Sequence, residues 1–144
     1  MSATDSIFRL DPQLAADTHC VGDFGLSRVL LMDDARFPWL ILVPRQPHLR
    51  ELIELPRDAQ HELLDEINRC AHVLHALHKP DKLNIAALGN VVAQLHVHVV
   101  ARQREDAAWP RPVWGVGTRV VYEPAALAQR IARLRTALQL PATA

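Results

Sequence analysis

Neither sign of charge is in excess in this sequence: Lys and Arg together number 16, and so do Asp and Glu. A chain without a basic excess is poorly suited to neutralise a phosphate backbone, which argues against bulk binding of DNA or RNA. Long hydrophobic runs are absent too. The longest, around Val29–Met32 and Trp39–Val43, fall far short of the ~20 residues that a membrane helix needs. We therefore expect no association with a membrane.

Cysteine is scarce, and a leader sequence is not visible. Cys20 and Cys70 are too few for a disulfide framework and too far apart for a zinc knuckle, so we expect two reduced, structural thiols. Met1–Asp5 has neither the basic nor the apolar region of a signal peptide. These features predict a cytoplasmic protein, and no cofactor or metal is expected. The length of 144 residues fits one domain, residues 1–144.

The first part of the chain has the pattern of β structure. Residues 18–44 contain two apolar stretches, Ser27–Met32 and Trp39–Val43, separated by the turn-like Asp33–Arg36, which predicts a hairpin. A second hairpin is predicted from Leu83–Leu88, a turn at Gly89–Asn90, and a strand over Val91–Ala101.

Two helices are predicted around the second hairpin. Apolar residues recur every three or four positions between Asp58, a plausible N-cap, and Lys79–Pro80, which ends the helix; they are Leu63, Ile67, Cys70 or Ala71, Leu74 and Leu77. After an irregular segment over residues 107–118, a closing helix is predicted from Pro124 to about Leu140. The order of elements predicts an α+β fold, with helices on one face of an antiparallel sheet of about five strands.

Alternate side chains of a strand share a face, so the second hairpin is predicted to present Gln94, His96 and His98 together. Arg102 lies further along that face, where it would either steer phosphates or be an ordinary solvated charge. Three interpretations of the histidine pair stay open. The residues are polar groups on the wet face of a sheet, or they share a metal ion, or one of them is a nucleophile, which neutral imidazole can be near pH 7.

A resemblance favours the third interpretation. The segment from Gly89 to Val100 reads GNVVAQLHVHVV, which resembles the histidine triad signature His-φ-His-φ-His-φ-φ, with φ apolar, after a glycine-containing loop. The strand at Pro38–Pro44 followed by Arg45, the long helix and the Trp109–Pro110 pair also resemble that superfamily. The similarity covers about Thr18 to Gly115, while the closing helix lies outside it.

The resemblance implies the chemistry of a nucleotide-phosphate hydrolase or nucleotidyl transferase. In that family the middle histidine attacks a nucleotide phosphorus, which makes His96 the nucleophile and His98 a phosphate contact. The amides of Gly89, Asn90 and Val91 would approach the phosphate. Asp33, or failing that Asp34, would meet the ribose. The implied substrate is a dinucleoside polyphosphate, such as diadenosine tetraphosphate, and the implied assembly is a homodimer.

The sequence departs from the signature at three positions. Gln94 replaces the first histidine, so the triad becomes Gln-His-His, and Trp39 replaces a further histidine that usually contacts the first. We therefore predict that Gln94 and Trp39 form a compensating pair, with Gln94 in the catalytic group and Trp39 among the nucleotide-binding residues. Val91 lacks a hydroxyl that some members direct at the leaving group. The alternative function is a nucleotide-binding or signalling module with reduced catalysis.

Overall fold

The computed structural model of the chain describes residues 7–141, so the Met1–Asp5 segment lies outside it. Five strands form one sheet: β1 (Thr18–Asp23), β2 (Ser27–Met32), β3 (Trp39–Pro44), β4 (Lys82–Ala86) and β5 (Val97–Arg102). Three α-helices accompany it: α1 (Pro12–Asp17), α2 (Arg57–His78) and α3 (Pro124–Leu138). A short 3-10 turn, Leu52–Glu54, precedes α2. The predicted α+β class and the five-stranded antiparallel sheet are confirmed.

The strand order across the sheet is β1-β2-β3-β5-β4, and every neighbouring pair is antiparallel. β2 and β3 form the predicted hairpin, with Leu30 opposite Ile41. β3 then pairs with β5, with Trp39 opposite Val100 and Ile41 opposite His98. This register places Trp39 diagonally across from His98 on one face, within reach of a large side chain.

Both faces of the sheet are covered. On one face, alternate residues of β5 join the core formed with the long helices, which includes Leu63 and Leu74 of α2 and Leu134 of α3. The opposite face carries a second core, in which Leu14 of α1, Trp39 and Val113 take part. The expectation of helices on a single face is therefore wrong for α1. It also follows that neither His98 of β5 nor His96, which precedes this strand, lies on a solvent-exposed face.

The predicted second hairpin is correct in its partners and wrong in its turn. β4 and β5 do pair, with Ala86 opposite His98, yet β4 ends at Ala86 and β5 begins only at Val97. Ten residues connect the two strands instead of a tight turn at Gly89–Asn90. The chain before Val97 bonds elsewhere, since the Leu95 amide donates to the Leu49 carbonyl.

The ends of the helices follow backbone chemistry. α2 begins two residues earlier than predicted, because Pro56 is the N-cap instead of Asp58. It ends at His78, and Lys79 caps it in the left-handed conformation. α3 ends at Leu138 instead of Leu140, because Gln139 adopts a left-handed cap. Within residues 7–141, no helix has both the length and the apolar character that crossing a membrane requires.

A buried ion pair anchors the irregular segment that follows β5. Arg102 is 1% exposed, and its guanidinium donates twice to Asp106, at 2.7 and 3.0 Å, and once to Asn84. The Asp106 carboxylate also accepts from the backbone amides of Gln103, Ala108 and Trp109. Burial raises the pKa of Asp106, but these hydrogen bonds outweigh it and lower the pKa to about 2. Arg102 therefore fixes the loop and does not steer ligands.

Candidate active site

A cleft of about 360 Å³ lies at the start of β5. The connection between β4 and β5 contributes residues 88–92 to its wall, and His96 and His98 line it as well. Helix α1 supplies Gln13, Leu14 and Asp17, and Trp114 comes from the segment that Asp106 anchors. The cleft thus combines two imidazoles with apolar walls and one carboxylate, which suits a small organic phosphate.

The tautomer of His96 follows from its hydrogen bond. Its Nδ1 lies 2.7 Å from the backbone carbonyl oxygen of Gln94. A carbonyl only accepts, so Nδ1 carries the proton, and in the neutral ring Nε2 keeps its lone pair. The ring is 7% exposed and held in place by this bond. His96 therefore has an unprotonated ring nitrogen, Nε2, with a fixed orientation.

His98 has the opposite tautomer. The indole N–H of Trp39 donates to His98 Nδ1 at 2.9 Å, so Nδ1 is unprotonated and Nε2 carries the proton. His98 is 4% exposed, and this burial, reinforced by the nearby His96, lowers its pKa to about 3. At neutral pH His98 is an uncharged hydrogen-bond donor beside the ring of His96.

Aromatic contacts hold both rings in place. The His96 and His98 ring centroids are 5.0 Å apart, and His98 is also 5.0 Å from Trp114. Trp39 packs edge-on against Trp114 at 6.0 Å. Edge-to-face arrangements of this kind are favourable beyond the area they bury. The arrangement of the two imidazole rings is thus fixed by packing.

Gln94 and Trp39 do not form the predicted pair. The Gln94 side chain accepts from the Asp11 amide and donates to the Arg9 carbonyl, while Trp39 donates to His98. Gln94 does not line the histidine cleft either. The prediction extended strand alternation back to Gln94, but β5 begins at Val97 and the chain bends at Gln94. The side chain therefore points to the N-terminal segment.

Neither of the two aspartates assigned to the ribose lies in this cleft. The Asp33 carboxylate accepts from the Tyr122 amide and lies 3.4 Å from His19. Asp34 is buried in an ion pair with Arg36. The carboxylate that does line the cleft belongs to Asp17, which the sequence did not single out because α1 was not predicted. The Asp11-Pro12 pair was the available signal, since Asp11 caps α1 and Pro12 opens it.

The other predicted residues come together. His96, His98, Gly89, Asn90 and Val91 all line the same cleft, and Trp39 stands behind His98. Within residues 7–141, no group of three or more histidine, cysteine or acidic side chains is arranged to hold a metal ion.

Comparison with known proteins agrees with this geometry. The HIT domain model matches residues 13–105, more than half of the chain. The chain belongs to the histidine triad family. Proteins of this family are in general nucleotide hydrolases or transferases. A comparison with curated proteins gave no match.

Solved histidine triad proteins share the whole architecture. One from Bradyrhizobium japonicum is 47% identical, with 92% of this chain and 98% of that chain covered and a TM-score of 0.89. One from Marinobacter aquaeolei VT8 is 46% identical, with 94% and 99% covered and a TM-score of 0.90. A third, from Sinorhizobium meliloti 1021, is 42% identical, with 90% and 96% covered and a TM-score of 0.87.

The buried neutral His98 predicts an acid-sensitive fold in this histidine triad protein. Its pKa is about 3 when folded against an ordinary 6.5, so the unfolded chain binds more protons between those pH values. The free energy of unfolding should therefore fall as pH falls through that window, with a slope from His98 of up to about 1.4 kcal/mol per pH unit. Urea unfolding measured between pH 7 and about pH 5 tests this expectation.

The matched variants isolate the contribution of His98. His98→Gln keeps an acceptor for the Trp39 indole and should flatten the pH slope, whereas His72→Gln, at an exposed position of α2, should leave it as in the wild type. Equal slopes in the wild type and His98→Gln would show that His98 is protonated in the folded protein.

Proposed function

We propose that this histidine triad protein hydrolyses or transfers nucleotides through a nucleotidyl-His96 intermediate, and that its substrates are dinucleoside polyphosphates such as diadenosine tetraphosphate. The observation that carries the proposal is the pair of opposite tautomers. His96 presents a lone pair to the cleft, and His98 presents an N–H. One neutral imidazole attacks phosphorus while its neighbour donates to a phosphate oxygen.

The first step forms a covalent bond between the enzyme and the nucleotide. The lone pair of His96 Nε2 forms a bond to the α-phosphorus, and the bond from phosphorus to the bridging oxygen breaks. The bridging oxygen departs with the electron pair as part of the leaving phosphate. The positive charge that develops on His96 is stabilised through the Nδ1–H bond to the Gln94 carbonyl.

The second step releases the nucleotide. Water attacks the phosphorus, the nitrogen–phosphorus bond breaks, its electron pair returns to Nε2, and the proton of the water passes to solvent. His98 donates to a non-bridging oxygen in both steps. Gly89, with φ of +79°, allows the loop backbone a left-handed turn that brings amide groups close to the phosphate.

The nucleoside part fits between α1 and the loop. Leu14, Met32 and Val92 provide apolar surface for a base. On sequence alone, the Asp33 carboxylate is predicted to accept hydrogen bonds from the ribose hydroxyls. We assign this contact to Asp17 instead. Asp17 lines the cleft, with Gln13 and Arg119 bonded to its carboxylate, whereas Asp33 does not line it and accepts from the Tyr122 amide.

We also propose a cytoplasmic homodimer. β4 is an edge strand with exposed Ile85 on it, and such an edge is available to pair with a second copy. Both cysteines are free thiols, as expected of a protein in a reducing compartment.

Trapping the intermediate tests the enzyme proposal. The wild-type protein is mixed with diadenosine tetraphosphate that carries a label in its adenosine. The reaction is stopped during turnover under alkaline denaturing conditions, because nitrogen–phosphorus bonds are labile in acid. Intact-protein mass spectrometry and peptide mapping should locate one adenylyl group on His96. Saturable nucleotide binding with no adduct and no turnover would favour the alternative, a binding or signalling module.

A further inference from the structure

A second and larger cleft opens beside Gln94. It has a volume of about 550 Å³ and is lined by Ile7, Arg9, Pro47, His48, Leu49, Arg50 and Gln94. We name it the basic cleft. Among the described residues, no carboxylate lines it. Arg9 and Arg50 are exposed, and neither forms an ion pair with any residue of the range 7–141. Two permanently charged guanidinium groups therefore line this cleft without a carboxylate partner among residues 7–141.

A small pocket of about 80 Å³, which we call the junction, shares lining residues with both clefts. Arg50 and Gln94 line both the junction and the basic cleft. Leu88, Gly89 and His96 line both the junction and the histidine cleft. Glu51 also borders the junction. His96 thus lines both the histidine cleft and the junction, and the junction shares Arg50 with the basic cleft.

The side chain of Gln94 holds Arg9 at the basic cleft. Its amide accepts from the Asp11 N–H at 2.9 Å and donates to the Arg9 carbonyl at 2.8 Å. One side-chain amide thus satisfies two backbone groups of the N-terminal segment, as a neighbouring peptide group would in a sheet. The same residue supplies the carbonyl that orients His96. Gln94 therefore couples the position of Arg9 to the geometry of the nucleophile.

We infer that the basic cleft binds the departing polyphosphate of the substrate, so that the leaving group is a nucleoside polyphosphate or pyrophosphate. The inference rests on the proposed attack by His96. The α-phosphate would lie at His96, and the phosphates beyond it would pass through the junction to Arg50 and Arg9. Guanidinium groups match phosphate oxygens in charge and in geometry.

The chemistry of departure agrees with this assignment. An amine or alkoxide leaving group needs a proton, and the exposed Val91 on the loop, 94% accessible, has no group to donate one. A phosphate oxygen leaves as an anion with its electron pair and needs positive charge instead of a proton. Arg50 and Arg9 supply that charge in the basic cleft.

Comparing leaving groups on one nucleotide tests the inference. The substrates are diadenosine tetraphosphate, ATP and the p-nitrophenyl ester of AMP, which all present the same adenylyl group to His96 and differ in the charge that departs. We expect Arg50→Gln and Arg9→Gln each to lower the ratio of kcat/KM for the polyphosphates to that for the ester about tenfold. Arg133→Gln removes an exposed arginine of α3 and should leave the ratio at the wild-type value.

The possible results separate this inference from the proposed function. If the ester yields the His96 adduct but the ratio is the same in the wild type and both cleft variants, the basic cleft does not bind the leaving group, and the proposed function stands. If no substrate yields an adduct, the proposed function fails, and calorimetry with inorganic tripolyphosphate decides the inference. Binding that weakens about tenfold in each variant supports it, and no binding to the wild type overturns it.

Discussion

Replacing His96 by alanine is expected to lower kcat for diadenosine tetraphosphate by at least about 10⁴-fold and to abolish the adenylyl adduct. Loss of a covalent nucleophile removes the reaction path itself, and the remaining groups supply only binding and charge stabilisation. Nucleotide affinity should change little, because Leu14, Met32 and Asp17 line the cleft independently of His96. Steady-state kinetics, adduct mapping and calorimetry with AMP measure the three quantities.

Two further variants identify the cause of that loss. His98→Ala removes a donor and leaves the nucleophile, so a smaller loss of about 10²–10³-fold is expected, with the adduct still detectable. His61→Ala, at an exposed position of α2, should retain wild-type kinetics. Turnover and adduct formation that persist in His96→Ala would show that His96 has a structural role only.

The parts of the fold that follow periodic patterns were predictable. The side chains of β2 and β3 alternate between two covered faces, and α2 carries a continuous apolar stripe. The predicted bounds of all three elements are therefore close to the observed ones. The antiparallel pairing of β4 and β5 was also predictable. The ten-residue connection between them was not, because Leu95 bonds to Leu49, a residue 46 positions away, and local patterns do not reveal such long-range hydrogen bonds.

The identities of the histidines were visible in the sequence, and their protonation was not. Each tautomer depends on a partner: the backbone carbonyl of Gln94 for His96, and the indole of Trp39 for His98. The first partner is a main-chain atom, and residue types do not indicate where a main-chain carbonyl will point. The second belongs to another strand, and its pairing needs the β3–β5 register. The prediction of a Gln94–Trp39 pair failed because it matched residue types without that register.

Arg102 is a charged residue whose surroundings could not be predicted from the sequence either. On sequence alone it was a charge on the histidine face that could steer phosphates or face solvent. In the structure it is buried against Asp106, beneath the segment that carries Trp114. Burial was not visible in the sequence because the residues that contact the guanidinium lie on separate segments of the chain: Phe37, Asn84, Asp106 and Trp109. A buried, paired arginine of this kind stabilises the fold. It contributes to the site only by holding the loop in place.

Replacing Arg102 by methionine is therefore expected to reduce the free energy of unfolding by about 3–5 kcal/mol. The side chain volume is largely kept, but the Asp106 carboxylate, 7% exposed, loses its charge partner, and the Asn84 oxygen loses its donor. Urea unfolding at pH 7 measures the loss.

Two comparisons show whether burial is the reason. Arg28 and Asp23 form an ion pair of similar length, 2.9 Å, but with side chains 31% and 36% exposed, so Arg28→Met should cost less than about 1 kcal/mol. The double variant Arg102→Met/Asp106→Asn should recover part of the stability, because a neutral amide replaces the uncompensated carboxylate and still accepts from the backbone of the loop. If Arg102→Met costs no more than Arg28→Met, water reaches Asp106 and screens its charge, and the loop beneath Trp114 is then held by its apolar contacts instead of by the ion pair.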